Sequence, residues 1–355
     1  MPQAPAPIET HGRGWLRRFG GAATRPIRRT AWRAAQVARH GRPRLLVTYG
    51  DGLGDHLLCT ALFRELRQRG QRGLWMMSQF PDLFAGNPDI DAVVPPDWRY
   101  HELIQAMGAR SVMPIYSEID EKEDRSIPPD RHIITCMCRH LEIGGPVSLR
   151  PYVHLTDAEK AQGRIAPNQV AIQSSILAAR LPIGNKEWRP QRFAQVVQAA
   201  RGRYQFVQLG SPDNPPLEGA LDLRGKTSLR QTAAILSQSL CFVGLVGFVM
   251  HLARAVDCRG VIVFGGREGP WQSGYSCNEN LFTPMPCSPC WYWNRCDHGH
   301  ECMNRIGAAE VVAALDRQAA LHGQPLAVDT DVLPEPARRP ARASAGRDVA
   351  LPLSA

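Results

Sequence analysis

Between residues 44 and 320 the apolar positions switch repeatedly between short continuous runs, as in buried strands, and the three-and-four spacing of amphipathic helices. Arg44 to Tyr49 (RLLVTY) predicts a buried strand. Asp55 to Arg69 predicts a helix with Leu57, Leu58, Ala61, Leu62 and Leu66 on one face and Gly70 as its stop. Leu74 to Ser78 and the end of GNPDIDAVV follow as strands. The stretch from Arg110 to Leu155 is less regular, with a strand expected near Ser111 to Ile115 and a helix near Ile133 to Leu141. A second alternation begins at Gln169: a strand (VAIQSS), a helix over Gln191 to Arg201 and a strand over Tyr204 to Gly210. Ser228 then caps a helix (LRQTAAILSQS), Cys241 to Gly244 is a strand, Phe248 to Val256 a helix, and Gly260 to Phe264 a strand ending at Gly265 and Gly266. Strands alternating with helices predict an α/β fold with two doubly wound parallel sheets, whose ligands bind beyond the carboxyl ends of the strands.

The flanks differ. Residues 1–41 read as a basic N-terminal arm in which arginines interleave with Trp15, Phe19, Ile27 and Trp32, and Pro26 is placed to open a short helix. Such an arm suits either a solvated tail or peripheral contact with an anionic membrane surface. Residues 325–355, with Pro334, Pro336, Pro340 and Pro352, are expected to be a disordered tail. The body divides into two α/β regions, 42–165 and 166–324, the second including a Cys-rich segment at 277–302.

Charge adds one exclusion. The 355-residue chain has a net charge of +9, and residues 1 to 44, with ten arginines, no lysine and one acid, supply all of it. The remaining 32 basic and 32 acidic residues cancel, so a nucleic-acid-binding body, and with it a nucleic-acid module built on the cysteines, has no support. The longest run without a polar side chain, Leu240 to Met250, is far short of the ~18 residues of a membrane span. No secretory signal pattern is evident, so the chain is expected in the cytoplasm, with its ten cysteines as thiols or metal ligands.

The loop Gly50-Asp51-Gly52-Leu53-Gly54-Asp55 lies between strand and helix, but Asp55 and Leu57 stand where a dinucleotide fingerprint needs glycine. The second strand also ends without a ribose-binding acid, which disfavours a nicotinamide enzyme. The loop does offer a carboxylate, Asp55, at a helix start, suited to a general base or to a helix cap.

These residues resemble glycosyltransferase family 9, the heptosyltransferase-like enzymes of bacterial lipopolysaccharide assembly. The resemblance is carried in order by LVTYGDGLGDHLLCTALFRELR, NPDIDAVV, NKEWRPQRFAQVV, QLGSPDN, DLRGKTSLRQTAAILSQS, FVGLVGFVMHLARAV and VIVFGGRE, over about residues 42 to 320. It implies a GT-B fold, two facing Rossmann-like domains with a cleft between them, and inverting transfer of a sugar such as heptose from a nucleoside-diphosphate donor to a glycan or lipopolysaccharide-type acceptor. In that scheme residues 42–165 are the acceptor-side domain and 166–324 the nucleotide-sugar-binding domain, Asp55 is the base, Gly52 and Gly54 belong to the acceptor-side loop, and Lys186 meets the diphosphate. Lys226, Thr227, His251, Gly265, Gly266 and Arg267 complete the donor side. No catalytic metal is expected. The family's Asp-Ser/Thr-Gly element is replaced here by Val246, Gly247 and Phe248, so either donor specificity differs, or Arg267 and Glu268 compensate, or the chain is a catalytically degenerate GT-B-like nucleotide or glycan binding protein.

Cys287, Cys290, Cys296 and Cys302 fall within sixteen residues, with Cys277, His298 and His300 nearby. Thiols this dense in a reducing compartment point to a structural zinc or iron, with free buried thiols as the alternative. Cys136 and Cys138 read as packing. Trp271, Tyr275, Trp291, Tyr292 and Trp293 crowd the same segment, either to stack on a ligand or to fill space. Asn278 and Asn280 add polar groups of unassigned role.

Overall fold

A computed structural model describes residues 26–335. Of these, the residues up to Arg42 form one compact unit and those from Pro43 a second. In the first, helix α1 (Pro26–His40) starts at Pro26, as expected of a residue with fixed φ and no N–H to lose. Gly41 ends it in the left-handed region at φ 79°. Trp15 and Phe19 lie outside the described residues.

The second unit opens with β1 (Leu45–Thr48), α2 (Leu53–Gln68), β2 (Leu74–Met77), β3 (Ala92–Val94), α3 (Trp98–Ala106) and β4 (Arg110–Val112). A short hairpin, β5 (Ile119–Asp120) and β6 (Arg125–Ser126), precedes α4 (Ile133–His140), β7 (Gly145–Ser148) and α5 (Asp157–Gln162). Then come β8 (Gln169–Ile172), α6 (Pro190–Ala200), β9 (Gln205–Gln208), β10 (Leu221–Asp222), α7 (Leu229–Ser237) and β11 (Cys241–Leu245). The chain ends with α8 (Phe248–Ala255), β12 (Gly260–Phe264), α9 (Pro270–Ser273), β13 (Glu279–Phe282), α10 (Glu301–Asn304), α11 (Ala308–Ala320) and β14 (Thr330–Leu333).

The first sheet has the parallel order β3-β2-β1-β4 and the second the parallel order β10-β9-β8-β11-β12-β13. The second is the complete doubly wound order, and the first is its leading four strands. In each sheet the order reverses beside the first strand, β1 or β8, and ligand crevices open there. The fold is GT-B, as expected.

Helix α2 departs from the one-faced pattern. Besides the five expected apolar residues it buries His56, Cys59, Thr60, Phe63 and Glu65. The reason is its position: α2 packs against α4 and β7 and against α8 of the other half, and shares an apolar cluster with Val47 and Met76 of its own sheet. One apolar cluster therefore runs from Leu45, Leu62 and Phe63 through Met250 to Phe242 and Phe264. A second fills the far face of the large sheet with Trp188, Phe193, Val263 and Leu315.

The expected disorder from residue 325 is corrected in part. Thr330–Leu333 pairs antiparallel with β7, Leu333 is buried, and Asp329 accepts hydrogen bonds from Leu149 N and Ser276 N at 2.8 and 2.7 Å. Four residues beside a proline are too few to show alternation, and the strand forms because the edge of β7 is waiting for it. The remainder of that tail, 336–355, lies outside the described residues.

Candidate active site

Asp55 sits in the first turn of α2, directly beyond β1. The helix is capped by Gly52, whose extended backbone offers no side-chain bond, so the carboxylate is not the N-cap. Instead it folds back over Gly52: a Cβ added there would stand 2.0 Å from Asp55 Oδ2. Gly52 thereby keeps the space the carboxylate occupies. The G52A variant is expected to fold but to turn Asp55 out of place, lowering kcat at least about tenfold, by ~1.4 kcal/mol or more; unchanged steady-state kinetics would refute this. Gly54 lets α2 approach α8, since a Cβ there would touch the Phe248 backbone at 3.8 Å and the His251 ring at 4.0 Å.

His56, which the sequence reading passed over, anchors the loop. Phe80 N donates to Ser78 Oγ, the Ser78 hydroxyl donates to His56 Nδ1 at 2.9 Å, and Nε2 donates to Gly50 O at 2.8 Å. Burial lowers the imidazole pKa, favouring the neutral ring that this network requires.

The half-buried Asp55 carboxyl is pushed up to about 6, chiefly by loss of water, with nearby Glu268 adding to the rise. A hydrogen bond from the Tyr116 hydroxyl and the charge of Lys186 act in the opposite direction. Tyr116 follows β4, the neighbour of β1, so topology delivers it to the same crevice. Strand β4 has only three residues, and no alternation marks the segment that carries the tyrosine.

From the other half, Lys186 and Glu268 form an ion pair, both largely withdrawn from solvent. Burial works to neutralise Glu268, but Lys186 and Arg267 outweigh it and hold the carboxyl at about 2. Burial likewise lowers the Lys186 ammonium, while Glu268 opposes the shift. The crevice thus sets a carboxyl of raised pKa opposite a lysine ion pair.

The remaining residues singled out in the sequence divide. His251 is buried near Gly54, bonded through Nδ1 to the Tyr275 hydroxyl at 2.7 Å, and burial drops its pKa to about 3. Arg267 is buried with its guanidinium committed to Trp291 O at 2.7 Å and Ser126 Oγ at 3.1 Å, and stacked on the Trp291 ring. Gly265 and Gly266 admit Met303 and Cys302, whose sulfurs would lie 2.5 and 2.8 Å from an added Cβ. Lys226 and Thr227 line a different cavity with Glu159, Ser228 and Arg230; Lys226 Nζ donates to Asp222 O at 2.8 Å, and the Thr227 and Thr232 hydroxyls share a hydrogen bond. Val246 is buried, Gly247 is extended, and Phe248 opens α8.

No disulfide joins the four clustered cysteines, which line one cavity of about 320 Å³ with Asn185, His300 and Arg125. Among the described residues no group of three or more His, Cys, Asp or Glu side chains is arranged to hold a metal ion. Cys136 and Cys138 are buried on α4. Tyr275 and Trp291 fill space, whereas Trp271 is 59% exposed. Asn278 accepts from Gly260 N at 2.8 Å and Asn280 donates to Tyr275 O at 2.9 Å, both bracing β12 and β13.

No family model matches the chain, and no curated protein matches it in sequence. Solved structures match its fold. ADP-heptose lipopolysaccharide heptosyltransferase II of E. coli superposes with a TM-score of 0.58 at 14% identity, covering 78% of this chain and 98% of that one. A glycosyltransferase family 9 structure from Veillonella parvula gives 0.57 at 16%, covering 78% and 97%. The iron-containing dodecameric glycosyltransferase TibC of enterotoxigenic E. coli gives 0.60 at 19%, covering 79% and 77%. The chain has the GT-B fold that these bacterial sugar transferases share.

Proposed function

We propose that the protein is an inverting glycosyltransferase of the family 9 type. The observation that carries this reading is Asp55, at the carboxyl end of β1, with its pKa raised to about 6 and the Lys186–Glu268 pair nearby in the crevice. Asp55 takes the proton of an acceptor hydroxyl as the oxygen attacks the anomeric carbon. The bond from that carbon to the diphosphate breaks on the opposite face, and Lys186 stabilises the negative charge that leaves. Glu268 supplies a donor-side carboxylate where Val246 and Phe248 do not. The acceptor-side and nucleotide-sugar-binding regions divide between α5 and β8, and His251, Gly265 and Gly266 shape the donor side, whereas Lys226 and Thr227 line a separate cavity and would reach a donor only by leaving their present partners. Arg267 acts there through Glu268, whose charge it supports.

One solved relative in fold is a TibC complex with ADP-D-β-D-heptose, at a TM-score of 0.61 and 17% identity. This makes an ADP-sugar the first donor to test, with a glycan or lipopolysaccharide-type glycolipid as acceptor. Thermal unfolding with ADP, UDP, GDP and their sugars is expected to show one selective rise, because bound ligand stabilises the native state. No rise with any nucleotide would refute the donor reading. Binding without turnover over an acceptor panel would mark a degenerate GT-B binding protein.

A structural zinc or iron at the four thiols is part of the same proposal: they line one cavity but are not arranged as a ligand set, so a metal ion would have to draw them together as thiolates, cross-linking the loop. Elemental analysis of protein purified without chelator is expected to give about one equivalent, released on chelation with a fall in Tm. Less than about 0.2 equivalents with four titratable thiols would leave the cysteines as packing. No helix among the described residues is long and apolar enough to cross a membrane. The basic arm is proposed to touch an anionic bilayer at its cytoplasmic face; sedimentation with anionic liposomes that is unchanged on deleting residues 1–41 would dismiss that.

A further inference from the structure

Lys186 is carried on a single 3-10 turn, Gly184–Lys186, between β8 and α6. Such a turn has few internal bonds, here Lys186 N to Ile183 O and Glu187 N to Gly184 O, and cannot by itself fix where a long side chain starts. Its middle residue, Asn185, is 2% exposed and fully used. The backbone N–H donates to Trp293 O at 3.0 Å. Nδ2 donates to Arg295 O at 2.7 Å and Tyr292 O at 3.2 Å, and Oδ1 accepts from His300 Nε2 at 2.8 Å. Next to it, Gly184 N donates to Asn294 Oδ1 at 2.8 Å.

Every one of these partners belongs to the Cys-rich segment. The same segment holds the loop of Glu268, since Cys290 N and Trp291 N donate to the carbonyls of Gly266 and Arg267. It also reaches the first half: Ser126 N donates to Trp291 O at 3.0 Å, and Trp293 N donates to Asp124 O at 2.8 Å. Both members of the ion pair therefore hang from one stretch of backbone.

We infer that Asn185 is a positioning residue for Lys186, fastening the turn that carries the ammonium to the Cys-rich segment and so fixing where that ammonium meets a diphosphate. The inference rests on the reading of Lys186 as the diphosphate-binding group. The carboxamide is matched to its place, with two N–H donors toward two carbonyls and one oxygen toward an imidazole N–H. An aspartate of the same shape would oppose acceptors to both carbonyls and leave them unpaired.

The test is titration calorimetry on the full chain, using the nucleoside diphosphate that most raises its Tm and the matching nucleoside. The difference between the two affinities isolates the diphosphate contact, which general damage to the fold would not single out. Asn185→Asp is expected to bind nucleoside within about twofold of wild type and diphosphate at least about tenfold more weakly, a loss of ~1.4 kcal/mol. The exposed Asn294→Ala, which removes only the acceptor for Gly184 N, is expected to lose about threefold on the diphosphate alone, and serves if the Asp variant does not fold. Lys186→Ala is the control. If it loses the diphosphate increment while the Asn185 or Asn294 variants keep theirs, Asn185 is not a positioning residue. If Lys186→Ala itself keeps the increment, the reading of Lys186 fails, and the inference with it.

Discussion

Asp55→Asn is expected to lower sugar transfer by roughly 10³-fold, within the range that a positioned general base contributes, while nucleoside diphosphate still binds within about twofold of wild type. The amide keeps the shape of the side chain but cannot take a proton, and the donor contacts lie on the other half of the crevice. Because the base works ionised, wild-type kcat/KM should fall tenfold per pH unit below about 6 and level off above it. Tyr116→Phe removes a bond that favours the charged form, so it should move this acid limb to higher pH; an unmoved limb would dissociate Tyr116 from the base. Stability should respond in the opposite sense to activity. The folded carboxyl titrates above its unfolded value of 3.8, so ionisation is dearer in the fold, and native stability is lost as the pH rises from about 4 through about 6. Asp55→Asn should therefore be more stable than wild type at pH 8 by on the order of 2 kcal/mol, and no more stable at pH 4. Full transfer by the variant would end the assignment of the base.

Lys186→Ala is expected to damage both binding and fold. Transfer should drop by about 10²-fold or more as the leaving diphosphate loses its ammonium. The variant also strands Glu268, 5% exposed, without its closest cation, and breaking a buried pair in this way costs about 3–5 kcal/mol. The Glu268 carboxyl should then rise from about 2, with Arg267 and the Ser273 hydroxyl left to hold it down. The double replacement of Lys186 and Glu268 by Met and Leu separates the two effects: it should recover most of the lost Tm and none of the transfer. Recovery of transfer would mean that Lys186 serves the fold and not the diphosphate.

What the sequence disclosed follows how local each signal is. Strands β11 and β12 are unbroken apolar runs, β1 and β8 carry a polar residue only at one end, Thr48 and Gln169, and α2 carries its period in sixteen residues, so the doubly wound pattern and the place of Asp55 beyond β1 could be read directly. Lys186 and His251 came from ordered motifs, and structure puts Lys186 in the crevice with Asp55. Tyr116 and Asn185 left no such trace: one follows a three-residue strand, and the other acts through backbone carbonyls more than a hundred residues away. Arg267 read as a cation beside a glycine loop, whereas its partners Trp291 and Ser126 lie 24 and 141 residues distant. The strand at 330–333 was missed because its stability belongs to its partner edge.

That last strand has a mechanical consequence. The chain passes from the first half to the second between α5 and β8, and then returns, laying β14 along β7. Two hinges in parallel constrain a pair of bodies as they constrain a door: swinging about the line through both is easy, whereas sliding or twisting strains one of them. For the proposed transferase, any movement that admits donor and releases product is therefore expected to favour rotation about that line, and a chain cut after residue 325 is expected to gain freedoms that the intact protein lacks.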